Sequence, residues 1–201
     1  MSGANLTDPS TENDFTPVTV ALRSGRRVKL RTIASDDGEA LQAAFDRLSM
    51  ESRYMRFMTP MRALPPYMLE RAVHPVAGRD LALVALADAP GEETDGRIVA
   101  GARYLADAAL QGCEFGIAVA DDWCGLGLAS LLMQELIRSA RARGLKSMEG
   151  FILTGNTPMR KLARRLGFQV AASDEGPGVV RMCLDLGSAQ AGEMQGGQDA
   201  A

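Results

Sequence analysis

The sequence predicts a mixed α/β fold, with a largely antiparallel sheet first and a strand–helix–strand unit afterwards. Apolar residues at strand spacing or in short runs mark the first part, in segments separated by loops: 27–33, 81–87, 98–105 and 114–119. Apolar residues at helical spacing then alternate with further strand patterns: helices at 126–143 and 157–166, strands at 148–153, 168–172 and 179–184. The early loops favour antiparallel neighbours, and the later alternation favours a βαβ unit.

Helix-boundary signals support these assignments. Residues 35–37 (Ser-Asp-Asp) are candidate N-cap residues before a segment, 40–48, whose apolar residues have helical spacing. Another helical segment spans 66–73. Gly144 follows the long helix as a candidate C′ residue, and the arginines just before it suit the negative end of the helix dipole. We therefore expect two helices before the apolar strand at 81–87 and a well-bounded long helix after the sheet.

The length and the terminal composition indicate one domain with extensions. The chain has 201 residues, which favours a single domain over two. Its polar segment 1–17 and its aperiodic segment 187–201 are predicted to be disordered. The folded domain is therefore expected over 18–186.

Charge, hydropathy and cysteine content exclude several classes of protein. A net charge of −3 without a dense Lys/Arg tract argues against a nucleic-acid partner. The chain has no apolar run of about 18 residues and begins with a polar segment, which predicts neither a membrane span nor a secretory signal. Three cysteines without CxxC spacing predict a reducing, cytoplasmic location. With His74 as the only histidine, no metal site is expected.

A glycine turn precedes the long helix. Gly125 and Gly127 lie between a strand that ends near Val119 and the helix start, where backbone N–H groups lack helical partners and the dipole is positive. This arrangement suits a pyrophosphate, although a plain strand-to-helix turn that needs glycine for its φ angles gives the same pattern. It is not a GxGxxG fingerprint, because Ser130 stands where the third glycine would be, and no Gly-Lys-Ser/Thr follows.

Several motifs together resemble the GNAT acetyltransferases. Segment 114–170 resembles the coenzyme-binding half of that family, whose turn Gln/Arg-x-x-Gly-x-Gly/Ala is matched by Cys124, Gly127 and Ala129. Asn156, with the helix ending Leu166-Gly167-Phe168, matches the family's next motif. LSMESRYMRF (48–57) looks like a segment of bacterial protein lysine acetyltransferases, and VKLRTIASDDGEAL (28–41) looks like the family's opening strand and helix. The resemblance implies the GNAT fold: a central mixed, mostly antiparallel twisted sheet flanked by helices and splayed between its fourth and fifth strands.

The resemblance also implies an activity. It suggests an N-acetyltransferase that uses acetyl-CoA, without a metal, and transfers the acetyl group by direct attack of a primary amine. Protein lysine is the favoured acceptor; a small-molecule amine acetyltransferase and a non-catalytic acyl-CoA sensor are the alternatives. The expected partners are acetyl-CoA and the amine acceptor, without nucleic acid or membrane, in a monomer or homodimer.

The site residues are expected as follows. Glu114 is the candidate general base, because a lysine amine with a pKa of about 10.4 must lose a proton before it attacks; a solvent-facing glutamate at the strand end is the alternative. Asn156 would contact the coenzyme or a water near its thiol, or merely start a helix. The other coenzyme contacts implied by the resemblance are Ile117, Ala118 and Val119 on the strand and Cys124, Gly125, Leu126, Gly127, Leu128, Ala129 and Ser130 at the turn.

Three positions in the predicted site have unusual residues. Cys124 stands where the family has Gln or Arg, which removes a side-chain donor, and Ala163 stands where many relatives have a tyrosine general acid. These departures motivate the sensor alternative. Gly116, inside the strand at 114–119, predicts either a bulge or a close approach by another chain.

Overall fold

The computed structural model describes residues 15–87, 96–173 and 175–187. These residues form eight strands and five α-helices. In chain order the elements are β1 Val18–Ala21, β2 Arg27–Thr32, α1 Gly38–Asp46, α2 Met50–Phe57, α3 Pro66–Val73, β3 Leu81–Ala87, β4 Ile98–Ala106, β5 Gly112–Val119, α4 Leu128–Ala142, β6 Ser147–Leu153, α5 Thr157–Arg165, β7 Gln169–Ala171 and β8 Val179–Asp185. Short 3-10 turns at 35–37 and 121–123 precede α1 and the glycine turn.

The strands form one sheet in the order β1-β2-β3-β4-β5-β6-β8-β7. Every neighbouring pair is antiparallel except β5 and β6, which are parallel because α4 crosses between them. The predicted fold class, a mixed and mostly antiparallel sheet flanked by helices, is confirmed.

The parallel pair β5–β6 is short and opens into a gap. Its register covers only three residue pairs, from Gly112 with Ser147 to Glu114 with Glu149. At the opening the ring of Phe115 lies where a side chain of Gly150 would be, since an ideal Cβ there would be 2.9 Å from the Phe115 Cδ1 atom. This is the splay that was expected between the fourth and fifth strands of the sequence prediction. Those two strands are β5 and β6 in the structure, because the prediction did not include β1.

Helices cover both faces of the sheet. On one face α4 inserts Leu128, Leu132 and Leu136, all at most 1% exposed, into the larger core cluster. On the other face α1 and α3 cover a smaller cluster that includes Val73 and Val84. The buried Leu128 anchors the start of α4 in the core and so fixes the position of the glycine turn before it.

Most predicted boundaries agree with the structure to within one or two residues, with one informative difference. The long helix was predicted from Leu126, whereas α4 begins at Leu128. Gly125 and Gly127 have φ angles of 76° and 88°, which a right-handed helix cannot include. The turn therefore stays outside the helix and leaves the first N–H groups of the helix at its edge.

Two elements were not predicted from the pattern. The strand β1 has mostly exposed residues and lies at the sheet edge, and α2 buries none of its residues fully, so neither contributes a fully buried apolar face. The predicted disorder of 1–17 and 187–201 falls largely outside the described residues. Where it does not, it is wrong for Phe15, which is 5% exposed and packs in the larger core cluster, so the packed chain starts before Val18.

Candidate active site

The gap between β5 and β6 is a cleft of about 1300 Å³. Its walls come from β5, the glycine turn, the first turn of α4, and the loop and first turn of α5. Of the predicted site residues it collects Glu114, Ile117, Ala118, Val119, Cys124, Gly125, Leu126, Gly127, Ala129, Ser130 and Asn156. Leu128 is the exception: its side chain is 1% exposed and lies in the core, so only its backbone could meet a ligand.

The glycine turn forms one end of the cleft. An ideal Cβ at Gly125 or at Gly127 would have no atom within 4 Å, so open space faces both residues, and both need glycine for their positive φ. The first hydrogen bond of α4 runs from the Leu131 N–H to the Gly127 carbonyl at 3.1 Å. The N–H groups of residues 128–130 precede that bond, at the positive end of the helix dipole, which suits an anionic group.

Glu114 lies at the other end, where β5 and β6 separate. Its side chain is exposed towards the cleft. Partial desolvation raises the pKa of the Glu114 carboxyl, and the negative charge of Glu149 raises it further, while Arg56 opposes the rise. Glu149 is the residue opposite Glu114 in the parallel register, and Arg181 donates to its carboxylate at 2.7 Å. Glu114 is therefore a stronger base than a fully solvated glutamate.

Asn156 both lines the cleft and begins α5. Its side-chain oxygen accepts a hydrogen bond from the Met159 N–H at 3.1 Å, the geometry of an N-cap. The helix-start role is thus observed, while a coenzyme contact stays a prediction.

Replacing Asn156 by alanine is expected to destabilise the protein by about 1 kcal/mol, because the Met159 N–H loses its acceptor. Asn156→Ser keeps an N-cap oxygen and should be close to wild type in denaturant unfolding. Equal stability of the alanine and serine variants would contradict the capping role. A rise in the KM for acetyl-CoA in the serine variant would then report a separate coenzyme contact.

The positions that depart from the family motif have plain structural settings. Burial raises the pKa of the Cys124 thiol, with the charges of Asp121 and Asp122 adding to the rise, so Cys124 is not an activated thiolate. Ala163 is fully buried in the larger core cluster. Among the described residues that line the cleft there is no tyrosine.

The position of the Arg56 guanidinium beside Gly116 in the cleft wall was not predicted. The predicted bulge at Gly116 is wrong, because β4 and β5 keep a regular register through this residue. The close approach is made by a side chain: an ideal Cβ at Gly116 would lie 2.6 Å from the Cζ atom of Arg56. No local spacing signal could have found this contact, since α2 and β5 are far apart in the chain.

The sequence model of the family described as "Acetyltransferase (GNAT) family" matches residues 50–168, more than half of the chain. The chain belongs to the GNAT acetyltransferase family. Acetyltransferase PA5475 of Pseudomonas aeruginosa is 34% identical to this GNAT chain over 148 residues, which are 74% of the chain and 78% of that protein.

Two further relatives extend the comparison. Acetyltransferase Pat of Mycolicibacterium smegmatis is 32% identical over 157 residues, which are 76% of this GNAT chain and 44% of Pat, so the chain spans less than half of that relative. The crystal structure of the GNAT domain of S. lividans PAT matches with a TM-score of 0.75 at 30% identity, over 84% of the chain and 96% of that domain. As a member of the family, the protein is an acyl-CoA-dependent N-acyltransferase with acetyl-CoA as its co-substrate.

Residues 15–87, 96–173 and 175–187 share three further properties. None of the helices there is both long and apolar enough to cross a bilayer. No group of three His, Cys, Asp or Glu side chains in that part of the chain is placed to hold a metal ion. Cys113, Cys124 and Cys183 are all free thiols.

Proposed function

We propose that this GNAT enzyme transfers an acetyl group from acetyl-CoA to a primary amine by direct attack, with protein lysine as the favoured acceptor, in the cytoplasm. The observation that carries the proposal is one cleft that has a helix start suited to an anion at one end and a carboxyl group of raised pKa at the other. Both reactants are then held in one site, which supplies much of the rate by proximity.

Different parts of the cleft have different roles in this proposal. The N–H groups at the start of α4, with the space above Gly125 and Gly127, hold the pyrophosphate of the coenzyme. The backbone of Ile117, Ala118 and Val119, beyond the point where β5 leaves β6, pairs with the pantetheine arm. One N–H of this stretch polarises the thioester carbonyl and stabilises the oxyanion that forms there.

Glu114 takes the proton of the attacking amine, directly or through one water. The nitrogen then bonds to the thioester carbon, the C–S bond breaks, and the coenzyme leaves as its thiolate. The nitrogen loses its second proton as the amide forms, and this proton reaches the thiolate through water, because no tyrosine lies among the described residues of the cleft wall. A thiol with a pKa near 8.5 is a fair leaving group without a general acid.

Coenzyme binding is tested first by thermal unfolding with CoA, acetyl-CoA and longer acyl-CoAs. A ligand at 100 times its dissociation constant should add about 2.7 kcal/mol to the free energy of unfolding. No stabilisation by any acyl-CoA would contradict the proposal, and the ligand that stabilises most identifies the preferred acyl chain.

Thiol release then separates the acceptor classes. Lysine peptides, polyamines and free amino acids are supplied to the same preparation with acetyl-CoA. Turnover of lysine peptides supports protein acetylation, and turnover of small amines alone supports the small-molecule alternative. The Cys124 and Ala163 departures keep the sensor alternative open, and it requires coenzyme binding without thiol release for every acceptor.

A further inference from the structure

Two arginines lie side by side against the sheet face that carries Glu114. Arg103 on β4 is the register partner of Gly116 on β5, and residues opposite one another in an antiparallel pair project from the same face. Because Gly116 has no side chain, the Arg56 guanidinium of α2 occupies the space above it. The glycine thereby brings the Arg56 guanidinium close enough to Arg103 for their charges to interact.

These two groups are not neutralised within the described part of the chain. Neither Arg56 nor Arg103 has a carboxylate within salt-bridge distance or a hydrogen bond to another described residue, and the buried Nε of Arg103 has no partner. Burial lowers the pKa of both guanidinium groups, and the charge of Arg103 lowers that of Arg56 further. The charges of Glu114 on Arg56 and of Asp80 on Arg103 do not offset this effect.

Two partly buried cations side by side without a counter-ion destabilise a fold, and a bound anion would relieve this cost. The planar fork of arginine fits a carboxylate with two parallel hydrogen bonds. A second cavity of about 180 Å³ borders both arginines and is otherwise lined mainly by apolar residues of α1, α2, α3 and the sheet. Arg56, Gly116 and Ala118 line both this cavity and the main cleft, so the two spaces are adjacent.

The geometry relates this pair to Glu114. Glu114 and Gly116 are two residues apart on one strand, so they share a face at a spacing of about 7 Å. An acceptor whose amine meets Glu114 would therefore place an atom a few bonds away beside the arginines. The position of Arg56 is fixed by the start of α2, where the Asp121 carboxylate accepts from the Ser49 N–H at 2.8 Å and from the Ser52 hydroxyl at 2.5 Å.

We propose that Arg56 and Arg103 bind a carboxylate of the amine acceptor, so that the enzyme selects amines with a carboxylate a few bonds or one side chain away. This inference rests on the proposed acetyl transfer to an amine. The carboxylate has two possible sources: the α-carboxylate of a free amino acid with an apolar side chain, or an acidic side chain beside the lysine of a protein.

Matched ligand pairs test the carboxylate without turnover. N-acetyl-leucine and N-acetyl-leucinamide represent the free amino acid, and acetyl-lysine peptides with a neighbouring Glu or Gln represent the protein source. Calorimetric titration should show the carboxylate member of one pair binding about 10- to 100-fold more tightly. The pair that shows the difference identifies the source. No difference in either pair, including no binding by any member, overturns the proposal.

Variants assign the effect to the arginines. Arg56→Met and Arg103→Met should each remove most of the carboxylate preference, and Arg56→Lys should retain part of it because the charge remains. Arg138→Met is the matched control, since Arg138 is an exposed residue of α4 whose partner is Glu135. A preference that survives in both methionine variants overturns the proposal. The methionine variants should fold, because each removes a desolvated charge and keeps an apolar stem.

Kinetic measurements distinguish a failure of this inference from a failure of the proposed function. Thiol release is measured with leucine against leucinamide and with lysine peptides carrying Glu or Gln. In Arg56→Met, the KM of the carboxylate acceptor should rise about 10- to 100-fold while the KM for acetyl-CoA stays unchanged. Carboxylate binding without thiol release from any acceptor would remove the transferase proposal and leave the anion site standing. Thiol release that is equal within both pairs would remove the anion site and leave the transferase proposal standing.

Discussion

Glu114→Gln is expected to lower kcat/KM for the amine about 10²- to 10⁴-fold, the usual contribution of a positioned general base. The amide keeps the size and the cleft contacts of Glu114 but cannot accept the proton of the amine. The Kd for acetyl-CoA should stay near that of the wild type, because the coenzyme is held mainly at the glycine turn. Steady-state kinetics with varied acceptor at saturating acetyl-CoA and a separate titration of the coenzyme check both parts. Wild-type turnover in the variant would remove Glu114 from the mechanism.

Glu149→Gln is a matched control for Glu114→Gln, and it has a separate expected result in the pH profile. The base acts when deprotonated, so kcat/KM should rise with pH through the pKa of Glu114, and its raised pKa moves that rise to higher pH than for a solvated glutamate. Glu149→Gln removes a negative charge that contributes to the raised pKa and breaks the ion pair with Arg181. The rise should therefore shift to lower pH without a large loss of turnover. An unchanged pH profile would contradict the coupling between the two carboxyl groups.

The parts of the fold that sequence reasoning predicted are those in which local chemistry and tertiary packing agree. The helix α4 combines a buried apolar stripe with glycines at both ends, Gly127 and Gly144, so its pattern and its boundaries lead to the same assignment. The short helix α5 combines an N-cap at Asn156 with apolar residues at helical spacing. Wherever several local signals coincide, the prediction holds to within two residues.

The elements that were missed lack such local signals. The helix α2 has no fully buried residue, and it is held by polar contacts from Ser49 and Ser52 to Asp121, which lies in the loop before the glycine turn. A contact of this kind joins distant segments and leaves no period in the sequence. The same holds for Arg56 and Arg103, whose proximity depends on the strand register at Gly116. The candidate base and the turn could thus be predicted from motifs, whereas the acceptor side of the cleft could not.

The second large effect is expected at Gly127. Replacing it by alanine places a Cβ in a left-handed conformation that costs roughly 1 to 2 kcal/mol of stability. The added methyl group also projects into the open space above the turn, where the proposed pyrophosphate meets the N–H groups of residues 128–130. Weakening one or two charge-assisted hydrogen bonds should raise the Kd for acetyl-CoA about 10- to 100-fold. Chemical denaturation and calorimetric titration measure the two effects separately.

Gly144 at the other end of α4 distinguishes the two causes. It has a φ of 76° and, like Gly127, open space around an ideal Cβ, but it lies outside the cleft. Gly144→Ala should therefore lose about as much stability as Gly127→Ala while binding acetyl-CoA as the wild type does. Because the backbone strain is matched, a difference in coenzyme affinity between the two variants belongs to the N-terminal end of the helix, where the dipole is positive. Equal loss of affinity in both would mean that strain in α4 alone weakens binding, and the helix start would then have no special role in holding the pyrophosphate.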